Sequence, residues 1–82
     1  MNKREVLRSK AQVIFREVLD SPQLVLTDTM VAKDVPNWDS LNHITLVMTL
    51  EDAFDVKFTT REVMGWKNVS EMLDTLEQRA SV

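Results

Sequence analysis

Leu7, Ala11, Ile14, Phe15 and Val18 recur at helical spacing between Glu5 and Leu19, with Arg8, Lys10, Gln12, Arg16 and Glu17 between them. That alternation predicts an amphipathic helix over 5–19. Asp20-Ser21-Pro22 is expected to end it, because proline disfavours a helical conformation in the residue before it and brings no amide hydrogen. Residues 23–38 keep no sustained period and contain Thr27-Asp28-Thr29 and Pro36-Asn37, so they read as a long loop. Loops of this length inside a compact domain are uncommon and usually functional. Leu24, Leu26, Met30 and Val31 are the residues expected to pin it to the core, with room for one short turn of helix.

Asp39 or Ser40 can cap a second helix running to Phe54 or Asp55, since either side-chain oxygen can accept from a first-turn amide. Thr59 and Glu62 have the spacing of a capping box, and the short helix they open is expected to stop at Gly65. A last helix starts near Asn68, with Glu71 three residues on and Val69, Met72, Leu73 and Leu76 on its apolar face. No segment reads as a strand. The fold class expected is all-α: a small four-helix bundle with three main helices, one short third helix, and a long loop between helices one and two. Residues 1–82 form a single domain, with no repeat or interdomain linker.

The second helix carries more apolar residues than one stripe needs. His43, Leu46, Val47, Leu50 and Phe54 share one face, which suffices to meet the other helices. Leu41, Ile44 and Met48 fall on another, at i, i+3 and i+7, with Thr45 beside them. Either the fourth helix covers this second stripe or it is a contact surface for a partner.

Composition narrows the classes of function. A chain of 82 residues buries a modest core and has little room for a large catalytic cleft. It has no cysteine, which excludes disulfides and thiolate metal sites, and its one histidine leaves little for any metal. No apolar run is long enough to span a bilayer, and the Met-Asn-Lys-Arg start has no apolar stretch of a leader behind it, so a cytoplasmic location is expected. The net charge is −3, with a local +2 over residues 1–20 and a local −4 over 21–60. An acidic middle repels a phosphate backbone, so nucleic acid is not the expected partner. The basic residues near the start read as a solvated helix face.

Asp39, Ser40 and His43 do not make a hydrolase triad: adjacent side chains diverge, and the glycines of a nucleophile elbow are missing. Asp34, Asn37, Asp39 and Asn42 do not make a calcium loop, because Pro36 intrudes and the central glycine and terminal glutamate are lacking. A helix-turn-helix over 40–64 would have too short a recognition helix. His43 reads as a half-buried helix residue, and Trp38 and Trp66 as packing residues. Ser40 on its own reads as an N-cap. The wider constellation is a long loop, Asp39-Ser40-Leu41 at a helix start, an apolar stripe on that helix, then a short helix and a final one.

Asp39-Ser40-Leu41 followed by Leu46-Val47-Met48-Thr49-Leu50-Glu51-Asp52-Ala53-Phe54-Asp55, in this helical frame, resembles the acyl carrier protein family over essentially the whole chain. The resemblance implies a non-enzymatic carrier. Ser40, flanked by Asp39 and Leu41, would be the attachment point of 4′-phosphopantetheine, transferred from coenzyme A by a magnesium-dependent phosphopantetheinyl transferase, and the arm's thiol would hold acyl groups as thioesters. The position suits this chemistry, because a helix N-terminus favours the phosphate that replaces the serine proton. The partners implied are that transferase and acyl-loading and acyl-transfer enzymes, which would meet Leu41, Ile44, Thr45, Met48, Glu51 and Asp52; a monomer is expected. Fatty-acid members usually carry acids where Asn42 and Thr45 stand here, and peptidyl carriers usually have glycines where Pro36-Asn37-Trp38 stands. These departures favour a specialised, free-standing carrier. The alternative is a small helical interaction domain in which Ser40 is only a cap.

Overall fold

The computed structural model describes residues 2–80. The elements in chain order are α1 (Lys3–Val18), a 3-10 turn (Ala32–Asp34), α2 (Ser40–Phe54), the short α3 (Thr60–Gly65) and α4 (Val69–Arg79). Among the described residues there is no strand. The all-α expectation of three main helices, a short third one and a long first loop is what the chain adopts.

The ends of the helices are set by local chemistry, in two cases not the chemistry expected. Asn2 accepts the Glu5 amide hydrogen at 2.8 Å, so α1 starts before Glu5. Its end is a Schellman turn: Asp20 adopts φ 52°, its N–H reaches the Glu17 carbonyl, and the Ser21 N–H reaches Arg16 O at 2.9 Å. Pro22 lies beyond that stop and does not cause it. Asp55, at φ 53°, ends α2 in the same left-handed region, with Val56 N–H on the Glu51 carbonyl. The Thr59–Glu62 capping box forms as its spacing predicts. α3 stops at Gly65 as expected, but Gly65 is its last helical residue and has no positive φ, so a left-handed glycine is not what ends it. The chain leaves the helix at Trp66, which goes extended and places its indole against Phe58 with ring centroids 5.1 Å apart. Asn68 caps α4 through the Glu71 amide, 3.1 Å away.

The core is the meeting of three apolar faces: Leu7, Ala11, Ile14 and Phe15 of α1, Leu46, Leu50 and Phe54 of α2, and Val69, Met72, Leu73 and Leu76 of α4. In the long loop Leu26 is buried, Leu24 and Met30 pack against the core, and Val31 is half-buried. Val35, not among the expected pins, is buried as well. The loop also serves the last helix: the Met30 and Asp28 carbonyls accept the Val69 and Ser70 amide hydrogens at 2.9 and 2.8 Å, two of the first-turn donors a helix leaves unpaired.

The basic face of α1 is only partly solvated. Arg4 pairs with Asp28, Asp74 and Glu77 at 2.8, 2.8 and 3.0 Å, and Arg8 pairs with Asp28 at 2.8 Å. One guanidinium thus ties α1 to the loop and to α4. No described helix is long and apolar enough to cross a membrane.

Candidate functional site

The segment before α2 is built as a rigid approach. Asn37 takes φ 72°, a left-handed conformation that asparagine tolerates better than most residues. Its side-chain Nδ2 donates to the Leu19 carbonyl at 2.9 Å, and its own carbonyl accepts from Asn42 Nδ2 at 2.7 Å and from the Asp39 amide at 3.0 Å. The approach is therefore fastened to the end of α1 and to the first turn of α2.

Asp39 is the N-cap of α2: its Oδ1 accepts the Asn42 amide hydrogen at 2.8 Å. Ser40 is the first helical residue and is exposed. Of the two caps the sequence allows, Asp39 is the one formed, because it has the extended backbone and the acceptor geometry that capping requires. Among the described residues the Ser40 hydroxyl has no hydrogen-bond partner, and it stands at the positive end of a helix with no acid inside its first turn.

Leu41, Ile44 and Met48 are 73%, 57% and 64% exposed, so α4 does not cover the second stripe of α2. Between that stripe and α3 runs an open groove that begins at Asp39 and Ser40 and continues past Ile44 and Met48 to Val63 and Met64. Thr45 sits on the exposed side with its hydroxyl turned back to the Leu41 carbonyl at 3.3 Å. The two expected acids differ. Asp52 is exposed, whereas Glu51 is half-buried and its Oε2 accepts the Phe58 amide hydrogen at 2.9 Å, which makes it a fastener of the α2–α3 connection.

Below the groove lies a chain of rings. Trp38 meets Phe15 edge to face at 5.1 Å, and its indole Nε1 donates to His43 Nδ1 at 3.1 Å. His43 in turn meets Trp66 at 6.3 Å, whose Nε1 donates to Thr75 Oγ1 at 3.0 Å. Burial pushes the His43 pKa below its ordinary value, against an opposing hydrogen bond to the Val63 backbone. Both tryptophans and His43 thus take the packing roles read for them. What the sequence reading missed is that Trp38 and His43 are bonded to each other, although a spacing of five residues across a helix start permits it. Phe15, Trp38 and His43 also wall a small, partly open cavity of about 80 Å³.

Comparison with known proteins gives a consistent picture. The family model described as Phosphopantetheine attachment site matches residues 11–76. The acyl carrier protein of Thermosynechococcus vestitus is 28% identical over 81 residues, 99% of each chain. The solution structure of the holo acyl carrier protein from Geobacter metallireducens superposes with a TM-score of 0.81 at 34% identity, covering 96% of this chain and 86% of that one.

Proposed function

The chain belongs to the phosphopantetheine attachment site family and is a non-enzymatic acyl carrier bearing that group covalently; on that premise we propose that Ser40 is the attachment point. The observation that carries this is the division of labour at the head of α2: Asp39 does the capping, and the adjacent serine hydroxyl is left exposed and without a partner. A serine serving only as a cap would hold the first-turn amide that Asp39 holds here.

The surrounding residues fit the group. The exposed N-terminal amides of α2 favour a phosphate ester at the first helical position, and the groove beside Ser40 gives an arm somewhere to lie. When attached, the arm supplies a thiol on which acyl groups are carried as thioesters. The protein's own part is presentation: Asn37 and Asp39 fix the turn, and the exposed strip of Leu41, Ile44, Thr45 and Met48, with Asp52 and the partly engaged Glu51 beyond it, is offered to the phosphopantetheinyl transferase and to acyl-loading and acyl-transfer enzymes.

The carrier serves a specialised biosynthetic pathway. The reading rests on the neutral Asn42 and Thr45 in the first two turns of α2. The small, partly open cavity supports a cargo kept outside the bundle, since pockets that enclose drug-sized ligands run to about 300–1,000 Å³. Incubation with coenzyme A, magnesium and a broad-specificity transferase should add one phosphopantetheine mass, and Ser40→Ala should abolish the addition. Addition to Ser40→Ala, or none to the wild type, would overturn the assignment.

A further inference from the structure

Trp38 and His43 lie on either side of Ser40, one at the end of the approach and one in the first turn of α2, and they are joined by a single hydrogen bond in which the imidazole can act only as acceptor. In the neutral ring Nδ1 offers a lone pair to the indole N–H; in the protonated ring Nδ1 carries a hydrogen of its own, and two donors face each other. We infer that Trp38 and His43 are a positioning pair for Ser40, holding the turn that presents its hydroxyl while His43 is neutral and loosening it when His43 takes a proton. The inference rests on the assignment of Ser40 as the attachment point, to which it adds a control.

The hydrogen bond to the Val63 backbone favours the protonated ring, but burial outweighs it. The Trp38 and His43 ring planes are 23° apart with centroids separated by 6.1 Å, and the contact between them is the single Nε1–H···Nδ1 bond. Among the residues lining the cavity and groove that His43 shares, the charged ones are Asp39, Glu51 and Lys67. Asp39 is committed to the Asn42 amide and Glu51 to the Phe58 amide, and Lys67 disfavours a second cation. From α1, the 3-10 turn, α3 and α4 the neighbours are Phe15, Ala32, Thr60, Val63, Met64, Val69 and Met72, none of which titrates.

Three fastenings hold the approach: the amide bonds of Asn37, the packing of Trp38 on Phe15, and the Trp38–His43 bond, of which only the last responds to pH. Asn37 ties it to Leu19 and Asn42 through amide groups that stay the same across the physiological range. Trp38 ties it to α2 through His43, with burial displacing the proton affinity downward from the ordinary value near 6.5. Loss of the bond to His43 leaves α2 capped and Trp38 packed on Phe15, but removes the link from Trp38 to the first turn that carries Ser40.

The test is an NMR titration of the apo protein between about pH 5 and 8, the range in which histidine changes charge. The His43 ring, the Trp38 indole N–H and the Leu41 amide should shift with one common midpoint below 6.5. In Trp38→Phe, which keeps an aromatic ring but has no N–H, His43 should still titrate while the Leu41 amide stops following it. In parallel, transferase loading is measured for wild type and His43→Gln with the same enzyme, so that the ratio of rates cancels the enzyme's own pH dependence. That ratio should fall as the pH drops through the His43 midpoint. A Leu41 amide indifferent to His43, a response that persists in Trp38→Phe, or a pH-independent ratio overturns the inference. If intact mass shows no loading of either protein, the Ser40 assignment has failed, and the titration alone decides the coupling.

Discussion

Asp39 Oδ1 holds the Asn42 amide at 2.8 Å, and by doing so it releases Ser40, one residue on, from any structural duty at the head of α2. Asp39→Ala should therefore cost about 0.5–2 kcal/mol, the range for lost caps. Ser40→Ala should leave stability unchanged or raise it by a few tenths of a kcal/mol, because alanine has the higher propensity in a first helical turn, roughly 0.5 kcal/mol at most. Urea denaturation of the two variants orders them, and equal losses would mean that both residues cap.

Leu50 is fully buried in the core on the inner face of α2. Leu50→Ala is expected to cost about 2–5 kcal/mol, a large share of the stability of so small a domain. Gly65→Ala is expected to act oppositely, raising stability by up to about 1 kcal/mol, because Gly65 is helical and a Cβ built there meets nothing within 4 Å. Thermal denaturation of both variants by circular dichroism checks the pair.

Arg4 foremost, with Arg8 adding and burial opposing, holds the Asp28 carboxyl below its usual range. A carboxyl with a depressed folded pKa binds its proton more readily in the unfolded chain, so its stabilising effect is present above about pH 3.9 and is lost as the pH falls through the folded value. Asp28→Asn should lower stability at neutral pH and flatten the acid limb below about pH 4. Denaturation midpoints across that range give the answer, and an unchanged acid limb would assign the loss to other carboxylates.

Binding to a cognate acyl-loading enzyme should be anchored by Ile44 and Met48, both exposed beside Ser40. Truncating either to alanine should cost about 2 kcal/mol or more, against a few tenths for Asp52→Asn at the rim. Ionic strength should matter little, since the first turns of α2 carry no acid to steer a basic surface. Surface plasmon resonance on the holo protein at two salt concentrations separates the cases. Glu51→Gln is a poor rim probe, because it also weakens the bond to Phe58.

Period and capping made most of the fold legible in the sequence. Leu7, Ala11, Ile14, Leu46, Leu50, Met72 and Leu73 all fall on faces that their spacing assigns to the core, and they are buried. The errors lie where tertiary contacts override local signals. Pro22 and Gly65 are conspicuous letters, yet α1 ends at a left-handed Asp20, and α3 ends because Trp66 leaves to pack its indole. At the candidate site, Asp39-Ser40-Leu41 pointed to the serine proposed above as the attachment point, while the choice between two adjacent caps needed backbone geometry. Arg4 bridges residues about 70 positions apart in sequence, a relation that periodicity cannot register.

The left-handed corners at Asp20, Asn37 and Asp55 carry a further consequence. A glycine would enter each with less steric cost, on the order of 1 kcal/mol, and the chain's single glycine is at none of them. Side chains at these corners narrow the range of backbone states open to the disordered chain, which reduces the entropy lost on folding by a comparable amount, about 0.4–1 kcal/mol per position. The two effects nearly cancel at each corner, so glycine substitutions there should shift equilibrium stability little. They should instead widen the disordered ensemble, making these three turns the places where a chain with a small core is most easily made to explore alternative backbone paths.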